Sequence, residues 1–180
     1  MTAPLVIFAV GNPSRGDDAI GPLLCARLAD WLDDEGLAGE VELIEDFQLN
    51  IEHVLDLPGR QVALFIDAGE RTPAPFTFRR IAAVPGLAHS THALPPESVL
   101  QVFRQTEGID APPAFVFCVR GEEFELGAAP SAAAESHVDA AFALLQKLCS
   151  RRELDFWAAL GEPVAAPVLA EFATSTAGMA

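Results

Sequence analysis

Residues 5–32 read LVIFAVGNPSRGDDAIGPLLCARLADWL. An apolar run rich in Val and Ile enters a tight Gly11-Asn12-Pro13 turn, passes Gly16 and meets Asp17 and Asp18. Apolar residues then recur at Ile20, Leu23, Leu24, Leu28, Trp31 and Leu32, a spacing that gathers them on one face of a helix. The stretch therefore predicts strand, Gly-rich turn and helix, the opening unit of an α/β domain. Such a turn normally receives phosphate, and Gly11 and Gly16 have the spacing of the two glycines of a phosphate loop. The Lys-Ser/Thr that should follow is replaced by Asp17-Asp18, whose carboxylates repel phosphate, and the Gly-x-Gly of a dinucleotide turn is missing. Nucleotide binding is accordingly a poor fit. One of the two aspartates can serve as the N-cap of the helix. The other is left beside a positive helix end, which favours its charged form and a ligand or acceptor role.

The alternation continues along the chain. Strand-like runs rich in Val, Ile and Phe occupy 41–47, 62–67, 76–81 and 114–119, with helical patterns at about 51–57, 97–105 and 131–149. This order predicts an α/β fold around a mainly parallel sheet. The chain has 180 residues, 51% of them hydrophobic, which suits a single domain with a substantial core. That domain is expected over 1–150. After Arg151 and Arg152 the composition shifts to Ala, Pro and Thr, so 151–180 reads as an appendage, partly helical at 154–160 and frayed at its end.

Composition excludes several classes of function. A formal net charge of -15 with 11 basic residues would repel a nucleic-acid backbone. The chain has no apolar run long enough to span a membrane and no basic segment followed by a small-residue cleavage site, so a cytoplasmic location is expected. Cys25, Cys118 and Cys149 are odd in number and far apart, which suits buried reduced thiols rather than disulfides or a structural zinc site.

Other residues join the aspartates as candidates. The apolar run in QVALFIDAGE stops at Asp67, and the carboxyl ends of parallel strands border the crevice where ligands bind. His89 and His92 lie in a loop before the helix that starts near Pro96. One of these histidines with Asp18 and Asp67 would make a mixed carboxylate and imidazole set suited to nickel or zinc. His53 and His137 fall within helical patterns and are expected on solvated or half-buried faces. There is no HExxH helix and no Gly-x-Ser-x-Gly elbow, and Cys25 lies beside apolar Leu24 and Leu28, a poor setting for a nucleophile.

Four motifs in order, GNPSRGDDAIGP, FIDAGE, HSTHALPPESVL and FELGAAPSAAAESHVDAA, resemble those of the hydrogenase maturation endopeptidases over roughly residues 5–148. The resemblance implies a three-layer α/β/α fold with a twisted, mostly parallel five-stranded sheet. It implies an endopeptidase that removes the C-terminal extension of a nickel–iron hydrogenase large-subunit precursor after nickel insertion. Carried over position by position, the family's metal-binding trio becomes Asp18, Asp67 and His92. Many members have Glu where Asp18 stands, and the shorter side chain reaches about one methylene less far.

The nickel would be that carried by the precursor, with no organic cofactor, no nucleic acid and no membrane partner, and a monomer fits. The first motif leans toward members serving soluble, pyridine-nucleotide-linked hydrogenases. Two routes to hydrolysis stand side by side: a metal that polarises the scissile carbonyl, or an aspartate, Asp17 or Asp67, acting as general base. Two other classes compete with the peptidase, a nickel-dependent module that binds the precursor without cutting it and a small nucleotide-binding domain using Gly11 to Gly16.

Overall fold

In the computed structural model, which describes residues 2–85 and 94–161, the opening run forms β1 (Leu5–Val10), buried along its whole length. An unbroken apolar strand is what a parallel sheet covered on both faces requires. A 3₁₀ turn (Gly16–Ala19) and α1 (Ile20–Asp34) follow, then β2 (Val41–Asp46), a second 3₁₀ helix (Ile51–Asp56), β3 (Val62–Gly69) and β4 (Phe76–Ile81). The chain continues through α2 (Pro96–Glu107), β5 (Ala114–Arg120), α3 (Ala132–Ser150) and α4 (Leu154–Leu160). The five strands lie in the order β2-β1-β3-β5-β4. All pairs are parallel except β4 with β5. The expected α/β fold with a mostly parallel five-stranded sheet is the one observed.

Alternation along the strands builds two apolar layers. Leu5, Ile7 and Ala9 of β1 and Leu64 and Ile66 of β3 face Leu24 and Leu28 of α1 and Leu145 and Leu148 of α3. Val6, Phe8, Ala63 and Phe65 face the opposite way, toward Val54 and toward Val99, Leu100 and Phe103 of α2. Phe8 and Phe65 stack across neighbouring strands with ring centroids 4.9 Å apart.

The segment expected as a helix over 51–57 is 3₁₀ rather than α. Asn50 starts it by accepting the Glu52 amide at 2.9 Å while the His53 ring accepts the Asn50 amide at 3.0 Å. The stretch read as an appendage contributes to the core. Trp157 of α4 is fully buried, its ring 5.2 Å from Phe115 and 6.0 Å from Phe78. Its Nε1–H donates to the carbonyls of Leu148 at 3.2 Å and Arg151 at 2.8 Å. Residues 162–180 of that stretch lie outside the described residues.

Candidate active site

The sheet order sets the site. From β1 the chain passes through α1 to β2 on one side, then crosses to β3 on the other, so the carboxyl ends of β1 and β3 flank a topological switch point. Crevices at such points bind ligands in open α/β sheets. Asp18 arrives from the turn after β1 and Asp67 from the end of β3, both half-buried.

Asp67 follows Ala63 and Phe65 on the α2 side of the sheet, in register with Cys118 of β5. Burial pushes its pKa up to about 7, against the Ala68 amide hydrogen bond at 2.8 Å, and the charge of Asp18 adds to the rise. The two carboxylates are thus close enough to feel each other. Asp18 is held by the turn itself, its Oδ2 accepting the Asn12 amide at 3.0 Å. That bond answers the phosphate-loop spacing, because an amide that would face a phosphate is already taken by the chain's own carboxylate. Gly11 permits the close turn: its φ is +149°, and a methyl group there would lie 2.0 Å from the Asp18 carbonyl oxygen.

Asp17 points elsewhere. It is fully buried, and its oxygens accept the amides of Glu122 at 2.7 Å, Glu123 at 3.0 Å and Ser131 at 2.6 Å, and the Ser131 hydroxyl at 2.8 Å. Burial alone would raise its pKa, but these four hydrogen bonds outweigh it and hold the group below the usual carboxylate range. The N-cap expectation is corrected here. The residues preceding the 3₁₀ turn and α1 are Arg15 and Ala19, neither with a side-chain cap, and Asp17 instead sits at the start of α3, beside its N-cap Ser131. Gly16, at φ +52°, lets the turn approach the Glu123 carbonyl, which a methyl there would meet at 2.3 Å.

No family model and no curated protein matches the chain. Solved structures do match. The hydrogenase maturating endopeptidase HybD from Escherichia coli is 25% identical, with a TM-score of 0.63, covering 83% of this chain and 92% of that one. HycI, a [NiFe] hydrogenase maturation protease from Thermococcus kodakarensis, is 24% identical, with a TM-score of 0.60 over 83% and 94% of the two chains. The chain shares the fold of these hydrogenase maturation proteases. An endopeptidase from Escherichia coli is similar at 24% identity and a TM-score of 0.61, covering 81% of this chain and 92% of that one.

Of the family's expected trio, the structure brings Asp18 and Asp67 together, while His92, like His89, lies outside the described residues. The described chain resumes at Leu94, whose amide donates to the Leu49 carbonyl at 3.2 Å. Among the described residues no group of three His, Cys, Asp or Glu is gathered for a metal. His137 is half-buried as expected, its Nδ1 2.9 Å from the Arg120 carbonyl. His53 departs from expectation: it is buried, with Nε2 3.6 Å from Asp46 and its ring edge-on to Phe8 at 5.4 Å.

Cys25 is buried with its thiol pushed up to about 11 by burial and the nearby Glu45 charge, which suits no nucleophile. Cys118, expected buried, is half-buried and within 2.8 Å of the Thr72 hydroxyl. Sequence reasoning missed the roles of Asn12, Asp46 and Ser131. Asn12 could have been found from its place in the turn, where its side chain accepts the Ser14 amide at 2.9 Å. No helix among the described residues is long and apolar enough to cross a membrane.

Proposed function

We propose that the chain is the endopeptidase that removes the C-terminal extension of a nickel–iron hydrogenase large-subunit precursor after nickel insertion. The observation that carries this reading is the pairing of Asp18 and Asp67 at the switch point of a fold shared with proteins named as maturation endopeptidases. Asp18, Asp67 and His92 engage the nickel that the precursor carries, so the metal acts as a docking check that cleavage follows insertion. Two carboxylates near enough for one to raise the pKa of the other are a pair that a divalent cation would stabilise. The reading needs no organic cofactor. It places the work in the cytoplasm, on a monomer.

A second role for Asp67 is favoured by its pKa of about 7, the range in which a carboxylate serves as general base toward an attacking water. Asp17, the other candidate base, has both oxygens engaged in hydrogen bonds. The Asp67→Asn variant tests both roles against a nickel-loaded precursor. Processing slowed about 100-fold or more is expected, as for loss of an acid–base group. Retained binding of the precursor by that variant marks Asp67 as the base, and lost binding marks it as a nickel contact. Processing at the wild-type rate contradicts both.

A further inference from the structure

The segment from Asp46 to Leu57 has its polarity reversed. His53 is inside at 5% exposure with Leu49, Val54 and Leu57, whereas Phe47, Ile51 and Leu55 stand out at 67%, 58% and 77%. Solvent-facing positions of a short helix ordinarily carry polar side chains, and clustered large apolar ones mark an interaction site.

The segment is tied down along its length. Asp46 accepts the Phe47 amide at 2.6 Å and the Asn50 side-chain amide at 3.3 Å, while Asn50 and His53 close the capping box. Arg60 donates to the carbonyls of Asp56 and Ala3, both at 2.8 Å, and pairs with Glu42. A platform fixed this way loses little freedom when a partner covers it.

Its position is equally specific. The Gly11 amide donates to the Asp46 carbonyl at 3.1 Å, and the Leu94 amide to the Leu49 carbonyl at 3.2 Å. The platform is therefore bonded both to the turn that carries Asp18 and to the segment that enters α2. Glu52 stands exposed between Ile51 and the buried His53, on a chain of net charge -15.

We infer that Phe47, Ile51 and Leu55 form a docking platform for the folded body of the precursor, whose matching surface carries apolar side chains ringed by Lys or Arg. This rests on the endopeptidase reading above. Continuity with the carboxylate site fixes the occupant as the molecule being processed, and the exposed Glu52 on a strongly acidic chain fixes the sign of its charge.

The test is steady-state processing of a nickel-loaded precursor by the full chain and by the Phe47→Ser/Ile51→Ser/Leu55→Ser variant. KM is expected to rise about tenfold or more with kcat within about twofold, the mark of lost uniform binding. The melting temperature should be unchanged, since the three side chains are exposed. A Glu52→Lys variant should also raise KM and weaken its dependence on salt. Unchanged KM in both variants, with wild-type processing intact, overturns the platform and leaves the peptidase standing.

If the wild type leaves the precursor whole, the peptidase reading fails. The platform is then judged by direct binding of nickel-loaded precursor, and equal affinity of wild type and triple variant overturns it. A wild-type dimer that the triple variant converts to monomer in sedimentation assigns the patch to a second copy and likewise overturns the inference.

Discussion

Asp17 and Asp18 are neighbours in sequence with opposite duties. Asp17 is a fully buried anchor that joins the first turn to the loop before α3, and Asp18 is half-buried beside Asp67. Removing the anchor carboxylate leaves the part-buried amides of Glu122, Glu123 and Ser131 without their acceptor, at a cost of about 1 kcal/mol each. Asp17→Ala should therefore lower stability by about 3 kcal/mol, measured by urea unfolding. The pH signs of Asp17 and Asp67 also differ. Asp17, held below its ordinary 3.8, contributes stability that is present above about pH 4 and lost as pH falls through its lowered folded-state pKa.

Asp67 works in the other direction. Its folded-state pKa of about 7 exceeds the ordinary 3.8, so between those values the folded chain holds a proton the unfolded chain has released. Stability then falls as pH rises through that window. In metal-free protein, Asp67→Asn should melt above wild type at about pH 8, with the gap narrowing as pH is lowered to about 5.5, although processing is lost. Equal melting temperatures across that range would contradict the raised pKa.

Among the elements, those with strong periodic signals are legible in the amino-acid sequence. The unbroken apolar β1 and β3 and the one-faced α1 read directly, because burial on both sheet faces or on one helix face leaves a pattern in the residues themselves. The second 3₁₀ helix is not legible as such. An α-helical period applied to 51–57 puts His53 on an outer face, whereas the capping box with Asn50 turns its ring inward onto Phe8. The partnership of Asp17 with Ser131 is hidden for a different reason, since the two are 114 positions apart and no local pattern records it. Asp18 and Asp67 are legible because one lies in the turn after β1 and the other near the end of β3, places that the α/β pattern alone points toward the crevice.

The packing of α4 into the core also escapes a reading by composition, since a single Trp in an Ala-rich stretch carries little periodic signal. Its contribution is testable at this scale. Trp157→Ala removes a fully buried ring packed on Phe78 and Phe115, together with two hydrogen bonds. A loss of about 3–5 kcal/mol is expected in chemical denaturation. A loss below about 1 kcal/mol would mean that α4 is dispensable to the domain.

The molecule as a whole places its chemistry where its topology reverses. Strand order brings two carboxylates from separate motifs to one edge, hydrogen bonds fix the turn that carries the first, and the apolar platform after β2 is bonded to that turn. Each part suits an enzyme that meets a folded protein bearing a metal rather than a small ligand or a nucleic acid. The measurement that tests this most directly is the intact mass of a hydrogenase large-subunit precursor incubated with the protein, with and without nickel. The account predicts loss of the C-terminal peptide from the nickel-loaded form alone. No mass change in a cognate nickel-loaded precursor, or equal shortening of both forms, would contradict it.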